Sequence, residues 1–148
     1  MSVLEGIDGP EDLHGLTDEQ LQQVAQEVRE HIITTVGEIG GHFGANLGAC
    51  ELAVALHSLL DSPTDKILWD VGHQAYPHKI LTGRADRLQT IRQYGGLAPF
   101  CSIPESEHDI MGAGHASTAI SQLPRFAPKW PPISPTVSMM CSRTSCAI

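Results

Sequence analysis

Basic residues are scarce in this chain of 148 residues: nine lysines and arginines face seventeen acidic residues, which gives a formal net charge of −8. Because neutralising phosphates takes clustered Lys and Arg, nucleic acid is not expected as a main partner. No stretch approaches the roughly 18 apolar residues that a membrane span requires. The N-terminus is acidic and lacks the basic and apolar regions of a secretory signal. We therefore predict a cytoplasmic protein with no membrane and no nucleic-acid partner.

Cysteine is sparse as well, and its spacing excludes two common kinds of site. The four cysteines form no CxxC pair and no zinc-ribbon pattern, so we expect reduced thiols at positions 50, 101, 141 and 146. With 41% hydrophobic and 18% charged residues, a chain of this length can nevertheless bury the core of one domain.

Two helices are predicted in the first half of the chain. Thr17 and Gln20 form a capping-box pattern, and apolar residues recur every three or four positions from there to Val36. The pattern predicts an amphipathic helix from Asp18 to Val36 that serves packing. Residues 49–60 are apolar almost all round, which predicts a helix buried on every side.

Three segments combine glycine with histidine. They are GGHFGANLG at 40–48, DVGHQAYPHKILTG at 70–83 and GAGHAST at 112–118. The second follows a strand-like run at 66–70 and predicts a short helix over 74–81 that Gly83 ends. The third predicts a turn that opens a helix. Polar, glycine-rich exits from strands are where α/β enzymes bind ligands, although a single such histidine is more often a packing residue.

The three segments together, in this order, resemble the 1-deoxy-D-xylulose-5-phosphate synthases, which are thiamine-diphosphate enzymes of the transketolase group. The resemblance also covers ELAVALH (51–57), TIRQYGGL (90–97) and ESEHDIMGAGH (105–115), and it extends from about Leu13 to Ser121. It implies an enzyme, a transferase, that decarboxylates pyruvate and joins the two-carbon fragment to glyceraldehyde 3-phosphate for isoprenoid, thiamine and pyridoxal synthesis. It further implies thiamine diphosphate and Mg²⁺ as cofactors and a homodimeric full-length enzyme.

The resemblance also assigns roles to residues. By position, His73 and the turn Gly114, His115 and Ala116 match family residues that contact thiamine diphosphate. His42 matches a histidine near the reacting thiazolium carbon that is implicated in proton transfer, which suits an imidazole. No metal ligand is assigned. His78 and Lys79 receive no catalytic role, and the remaining histidines are expected at the surface or in packing: His14, His31, His57 and His108.

The chain departs from the family pattern after Ser121. Residues 122–148 contain five of the ten prolines, three basic residues and no acidic one, and no Gly-Asp-Gly metal-binding segment is present. Prolines from position 124 onward are expected to prevent a helix there. We predict a flexible N-terminus at 1–12, a partial diphosphate-binding-type domain at 13–121 and a disordered tail at 122–148, and our hypothesis for the tail is out-of-frame translation.

The predicted fold is therefore α/β, a truncated N-terminal part of a thiamine-diphosphate-binding domain of the transketolase type. The fold should be rich in helix, with a partial parallel sheet that includes 66–70. We expect the chain to be inactive by itself. Two alternatives stay open. The chain could be a non-catalytic fragment that docks on a full-length synthase, or a metal-binding module that uses His73 and His78, whose spacing departs from the usual helical one.

Overall fold

A computed structural model describes residues 2–112 and 114–126, and within these residues the regular structure is helical. Short 3₁₀ segments and loops join five α-helices: α1 (Asp18–Ile39), α2 (Gly44–Leu47), α3 (Cys50–Leu59), α4 (Tyr76–Lys79) and α5 (Ala119–Phe126). None of the helices in this part of the chain has both the length and the apolar character needed to cross a bilayer. The expected richness in helix is confirmed.

Helix α1 starts where the capping box predicts. The Thr17 hydroxyl accepts the Gln20 amide proton at 3.3 Å, and the Gln20 side chain accepts from the Thr17 amide at 2.9 Å. The helix continues three residues past the predicted end and stops at Gly40, whose φ of 78° suits glycine. Its apolar stripe is fully buried and forms the centre of the core with residues Val24, Val28, Ile32 and Val36.

Helix α3 packs against α1, but it is buried on one face only. Ala53, Val54 and His57 are buried, whereas Leu52 and Leu59 are 56% and 81% exposed. The expectation of a helix buried all round is therefore wrong, because α1, α4 and the turn Pro10–Leu13 cover one face of α3 and the described residues leave Leu52 and Leu59 exposed.

The run at 66–70 forms no strand, and no strand occurs in residues 2–112 and 114–126. Ile67 and Trp69 are buried in the core all the same. A strand requires a partner backbone to complete its hydrogen-bond ladder, and the described residues offer none here. The partial parallel sheet is thus not found in this structure.

The segment after His73 is a series of short helical turns rather than the single helix predicted over 74–81. A 3₁₀ turn at Gly72–Gln74 leads to α4, in which Pro77 occupies the first turn as expected. A wider π-type turn at Ile80–Arg84 follows, and Gly83 interrupts it with a φ of 75°. A Cβ at Gly83 would lie 2.8 Å from the Asp8 carbonyl oxygen, so this turn requires glycine.

The sequence predicts a flexible N-terminal segment at 1–12. In the structure, residues 2–4 of this segment are hydrogen-bonded to α1. Glu27 accepts hydrogen bonds from the Ser2 hydroxyl and from the backbone amides of Val3 and Leu4. The 3₁₀ turn Pro10–Leu13 then buries Leu13 completely. Flexibility of this segment in solution stays a prediction.

Helix α5 continues beyond the predicted break at residue 122. It ends at Phe126 and includes Pro124, so the expectation that proline prevents a helix here is wrong for residues 122–126. Pro124 is the sixth residue of this helix, beyond the first turn where proline is tolerated, so the helix forms with one backbone donor fewer. The rest of the predicted tail, 127–148, lies outside the described residues.

A buried ionic network crosses the core. Asp109 is 2% exposed. Its carboxylate accepts hydrogen bonds from both terminal nitrogens of Arg84 at 2.8 Å and from the Ser102 amide at 2.7 Å. Lys79, fully buried, pairs with Glu105, which also accepts from the Ala98 amide. The network ties the turn at 79–84 to the loop at 98–109.

Two buried histidines extend this network. His78 Nε2 lies 3.0 Å from Asp109 Oδ1, and His78 Nδ1 lies 2.8 Å from His57 Nε2. Because an ionised carboxylate only accepts, His78 donates from Nε2 and accepts the His57 proton at Nδ1. Both rings are then neutral. Burial, and to a smaller extent the neighbouring His78, lowers the pKa of His57 to about 3.

Because α1 has one buried face, alanine substitutions at two adjacent isoleucines should lower the free energy of unfolding by very different amounts. Ile32 is fully buried and Ile33 is 45% exposed. Ile32→Ala should lower the free energy of unfolding by about 2–5 kcal/mol, since it leaves a cavity. Ile33→Ala should change it by less than about 1 kcal/mol. Urea unfolding followed by circular dichroism measures both, and equal losses would contradict the assigned helix face.

The buried histidine pair predicts acid sensitivity. A histidine whose pKa is lower in the folded than in the unfolded state opposes folding once the unfolded chain protonates, so stability should fall as pH drops from about 6.5 toward 3. Burial opposes ionisation of Asp109, but hydrogen bonds from Arg84 and His78 lower its pKa, so its contribution is lost below about pH 4 in the same direction.

A glutamine at position 57 isolates the contribution of that histidine. His57→Gln retains a donor for His78 but binds no proton when unfolded. The dependence of unfolding free energy on pH between 4.5 and 6 should therefore decrease by about 1.4 kcal/mol per pH unit, the value for one proton. The same substitution at exposed His14 serves as control. An unchanged slope for His57→Gln would contradict a neutral buried ring.

Candidate functional site

The three glycine-histidine segments meet at one place on the surface. The rings of His42 and His73 have centroids 3.7 Å apart, and the centroids of His73 and His115 are 6.0 Å apart. His42 and His115 are exposed, and His73 is half-buried between them. These three residues, which we call the histidine wall, come from sequence positions up to 73 residues apart.

A phenylalanine completes the wall and was not predicted from the sequence. The Phe100 and His73 rings form a T-shaped pair with a centroid distance of 4.9 Å and an interplanar angle of 88°. A Cβ at Gly114 would lie 3.3 Å from the Phe100 ring, so a larger residue at this position would crowd that ring. Nothing in the local sequence around Phe100 distinguishes it from a packing aromatic, and only the fold brings it to His73.

Asn46 fixes the loop that carries His42. Its side-chain amide donates to the His42 carbonyl oxygen at 2.8 Å, and its Oδ1 accepts the Tyr76 amide proton at 3.0 Å. The residue is fully buried. One side chain therefore joins the loop of His42 to the start of α4, three residues after His73.

A buried hydroxyl and a guanidinium lie behind the wall. Tyr76 is fully buried, and burial raises its pKa while Arg92 and the His42 backbone oppose this. A Cβ at Gly41 would lie 2.9 Å from a Val36 methyl group and 3.6 Å from Tyr76 Oη, so the loop before His42 packs tightly on Val36, next to this hydroxyl.

The surroundings of His73 lower the pKa of its imidazole. Burial is the largest cause, and the neighbouring His42, His115 and Arg92 lower the pKa further. A lowered pKa favours the neutral imidazole, which can give or take a proton.

The other predicted residues take varied positions. Gly114 accepts the Gly72 amide proton at 3.2 Å, and Ala116 is exposed in the same turn as His115. His78 and Lys79 are buried in the ionic network and are not part of the histidine wall. Of the histidines expected at the surface or in packing, His57 is buried, His14 is exposed, and two are half-buried: His31 and His108.

The structure does not bring His73 and His78 together as metal ligands, since His73 contacts the wall and His78 contacts Asp109 and His57. Within the described residues, one group has ligand atoms within 4.8 Å of one another: His78, Cys101 and Asp109. Asp109 already accepts from Arg84, His78 and Ser102, and burial raises the pKa of Cys101 to about 12. A protonated thiol and an adjacent guanidinium disfavour a cation.

A separate groove of about 840 Å³ lies between the N-terminal segment and α1. Its lining includes Glu5, Glu27, Glu30 and Asp86 but none of the wall histidines. The groove and the wall are therefore distinct features of the surface.

Comparison with known proteins identifies the family. Residues 4–127 match the family model described as 1-deoxy-D-xylulose-5-phosphate synthase. Proteins named 1-deoxy-D-xylulose-5-phosphate synthase are 60% identical over 119 residues in Thermomicrobium roseum and 55% identical over 118 residues in Neisseria meningitidis serogroup C. One from Methylibium petroleiphilum is 52% identical over 119 residues.

Each of these alignments covers 80% of the present chain but only 18–19% of the relative. The chain thus spans about a fifth of the length of the curated relatives that it matches. The resemblance inferred from the three glycine-histidine segments is confirmed, and the chain belongs to the 1-deoxy-D-xylulose-5-phosphate synthase family.

Proposed function

We propose that the histidine wall is the part of a thiamine-diphosphate site that this chain contributes. The full site would serve the synthesis of 1-deoxy-D-xylulose 5-phosphate from pyruvate and glyceraldehyde 3-phosphate in a homodimeric enzyme. The observation that carries the proposal is the convergence of His42, His73 and His115 from three separate segments.

The chemistry of the wall fits such a ligand. Three imidazoles and the nearby Arg92 suit an anionic diphosphate, while the Phe100 ring offers an apolar face to an aromatic ring system. In the proposal His73, Gly114, His115 and Ala116 hold the cofactor. When bound, thiamine diphosphate supplies a thiazolium carbon that serves as an electron sink.

His42 is proposed to hold and move a proton at this site. It is exposed, its backbone carbonyl is fixed by Asn46, and its ring lies against His73. An imidazole can give or take a proton near neutral pH, and a fixed ring does so in a defined direction. The neighbouring His73 ring limits the orientations open to His42.

The 148 residues are proposed to be insufficient for catalysis by themselves. They contain no Gly-Asp-Gly segment, and the Asp70 carboxylate at the edge of the wall is engaged by backbone amides. The segment that binds Mg²⁺ in the family pattern is therefore missing from this sequence. The partial parallel sheet is likewise proposed to form only when 66–70 pairs with strands from elsewhere in the family domain.

The proposal predicts weak but localised binding of thiamine diphosphate. In the presence of Mg²⁺, titration should shift the ring C–H resonances of His42, His73 and His115 in NMR spectra. The apparent Kd should be weaker than micromolar, because the metal anchor is missing. His73→Ala should weaken binding at least about tenfold through loss of a charge-assisted contact.

His14→Ala is the matched control, since His14 is exposed and its ring forms a hydrogen bond with the Leu60 carbonyl oxygen rather than with a residue of the wall. It should leave the titration unchanged. Absence of any shift at the three wall histidines at millimolar cofactor would contradict the proposed site. Binding at micromolar concentration or tighter would contradict the proposed lack of a metal anchor.

A further inference from the structure

Three hydrogen bonds join the segment before His73 to the turn that carries His115. One is the backbone bond from Gly72 to Gly114. The other two belong to Asp70, whose carboxylate accepts the Ser117 amide proton at 2.8 Å and the Ala119 amide proton at 2.9 Å. At the edge of the histidine wall, Asp70 is thus hydrogen-bonded to residues that lie 47 and 49 positions further along the chain.

The turn that Asp70 holds is conformationally costly. Ser117 has a φ of 74°, in the left-handed region that residues with a Cβ avoid. Such a conformation costs about 1–2 kcal/mol and persists only where the surroundings fix it. The Ser117 side chain is exposed, so packing does not impose the conformation, whereas the Asp70 carboxylate contacts the Ser117 amide directly.

Asp70 also stabilises the first turn of α5. Its second oxygen accepts from Ala119, the first residue of the helix, where free backbone amides and the helix dipole favour a negative charge. The hydrogen bonds from Ala119 and Ser117 lower the pKa of the Asp70 carboxyl. The carboxylate is therefore committed to the backbone of the turn rather than available to a ligand.

We propose that Asp70 is a positioning residue that holds the turn at Gly114, His115 and Ala116 at its distance from His73. It sets the spacing of two wall histidines without contacting a ligand itself. The role in cofactor binding rests on the proposed function, whereas the effect on ring spacing does not.

The test compares two substitutions at Asp70 with one at a matched aspartate. Asp65 is equally half-buried, and its carboxylate accepts the Asp61 amide proton at 2.9 Å in a local turn away from the wall. Asp70→Ala removes both long-range bonds. Asp70→Asn retains the shape and an uncharged acceptor, so it should rescue part of the effect. Asp65→Ala removes a bond of the same kind that does not reach His115.

Amide hydrogen exchange and ring-proton NOEs give a readout that needs no cofactor. Asp70→Ala should speed exchange of the Ser117 and Ala119 amides about tenfold or more and abolish NOEs between the His73 and His115 rings. The Leu21 and Ala53 amides, which belong to α1 and α3, should keep their protection and show that the fold persists. Asp65→Ala should leave both wall readouts unchanged.

A second variant tests the conformational argument. Ser117→Gly removes the penalty for positive φ, so in the Asp70→Ala background it should restore part of the His73–His115 NOE. Unchanged amide exchange and unchanged ring NOEs in Asp70→Ala would overturn the positioning role.

Titration of these variants with thiamine diphosphate and Mg²⁺ separates this inference from the proposed function. Asp70→Ala should reduce the cofactor-induced change in chemical shift at His115 more than that at His42. If the wild-type chain shows no cofactor shifts but Asp70→Ala still loses the ring NOEs, the proposed function fails and the positioning of the ring stands. If cofactor shifts occur and Asp70→Ala leaves them and the NOEs intact, the inference on Asp70 fails alone.

Discussion

The described structure depends most on the buried carboxylate of Asp109. It accepts from the Arg84 guanidinium, from His78 and from the Ser102 amide, and it is nearly inaccessible to water. A buried charge is tolerable only when its hydrogen-bonding capacity is filled, so removing any partner would leave an uncompensated group in the core. This requirement fixes the loop at 98–109 to the turn at 79–84.

The exposed histidine wall rests on this and two other fixed supports. The loop held by Asp109 presents Phe100 to His73. Asn46 fixes the loop of His42, and Asp70 holds the turn of His115. His42 and His115 are exposed, and hydrogen bonds from side chains more than three residues away set the loops that carry them. Such preorganisation gives a surface cluster of three imidazoles a defined geometry.

Features encoded by neighbouring residues could be predicted from the sequence. The capping box of Thr17 and Gln20, the position of Pro77 in a first turn and the break at Gly83 are of this kind. Features that depend on distant partners were missed. A strand at 66–70 requires a second strand, and the roles of Phe100 and Asp109 appear only once the loop folds back. The wall histidines were named from the family motifs, and their spacing came from the fold.

The central claim is that three distant segments form one preorganised wall before any ligand binds. Ring-proton NOEs in the ligand-free wild-type chain test it most directly. The structure predicts cross-peaks from His73 to His42, to Phe100 and, more weakly, to His115, in order of the centroid distances 3.7, 4.9 and 6.0 Å. Absence of all three cross-peaks, with histidine shifts typical of an unfolded chain, would contradict it.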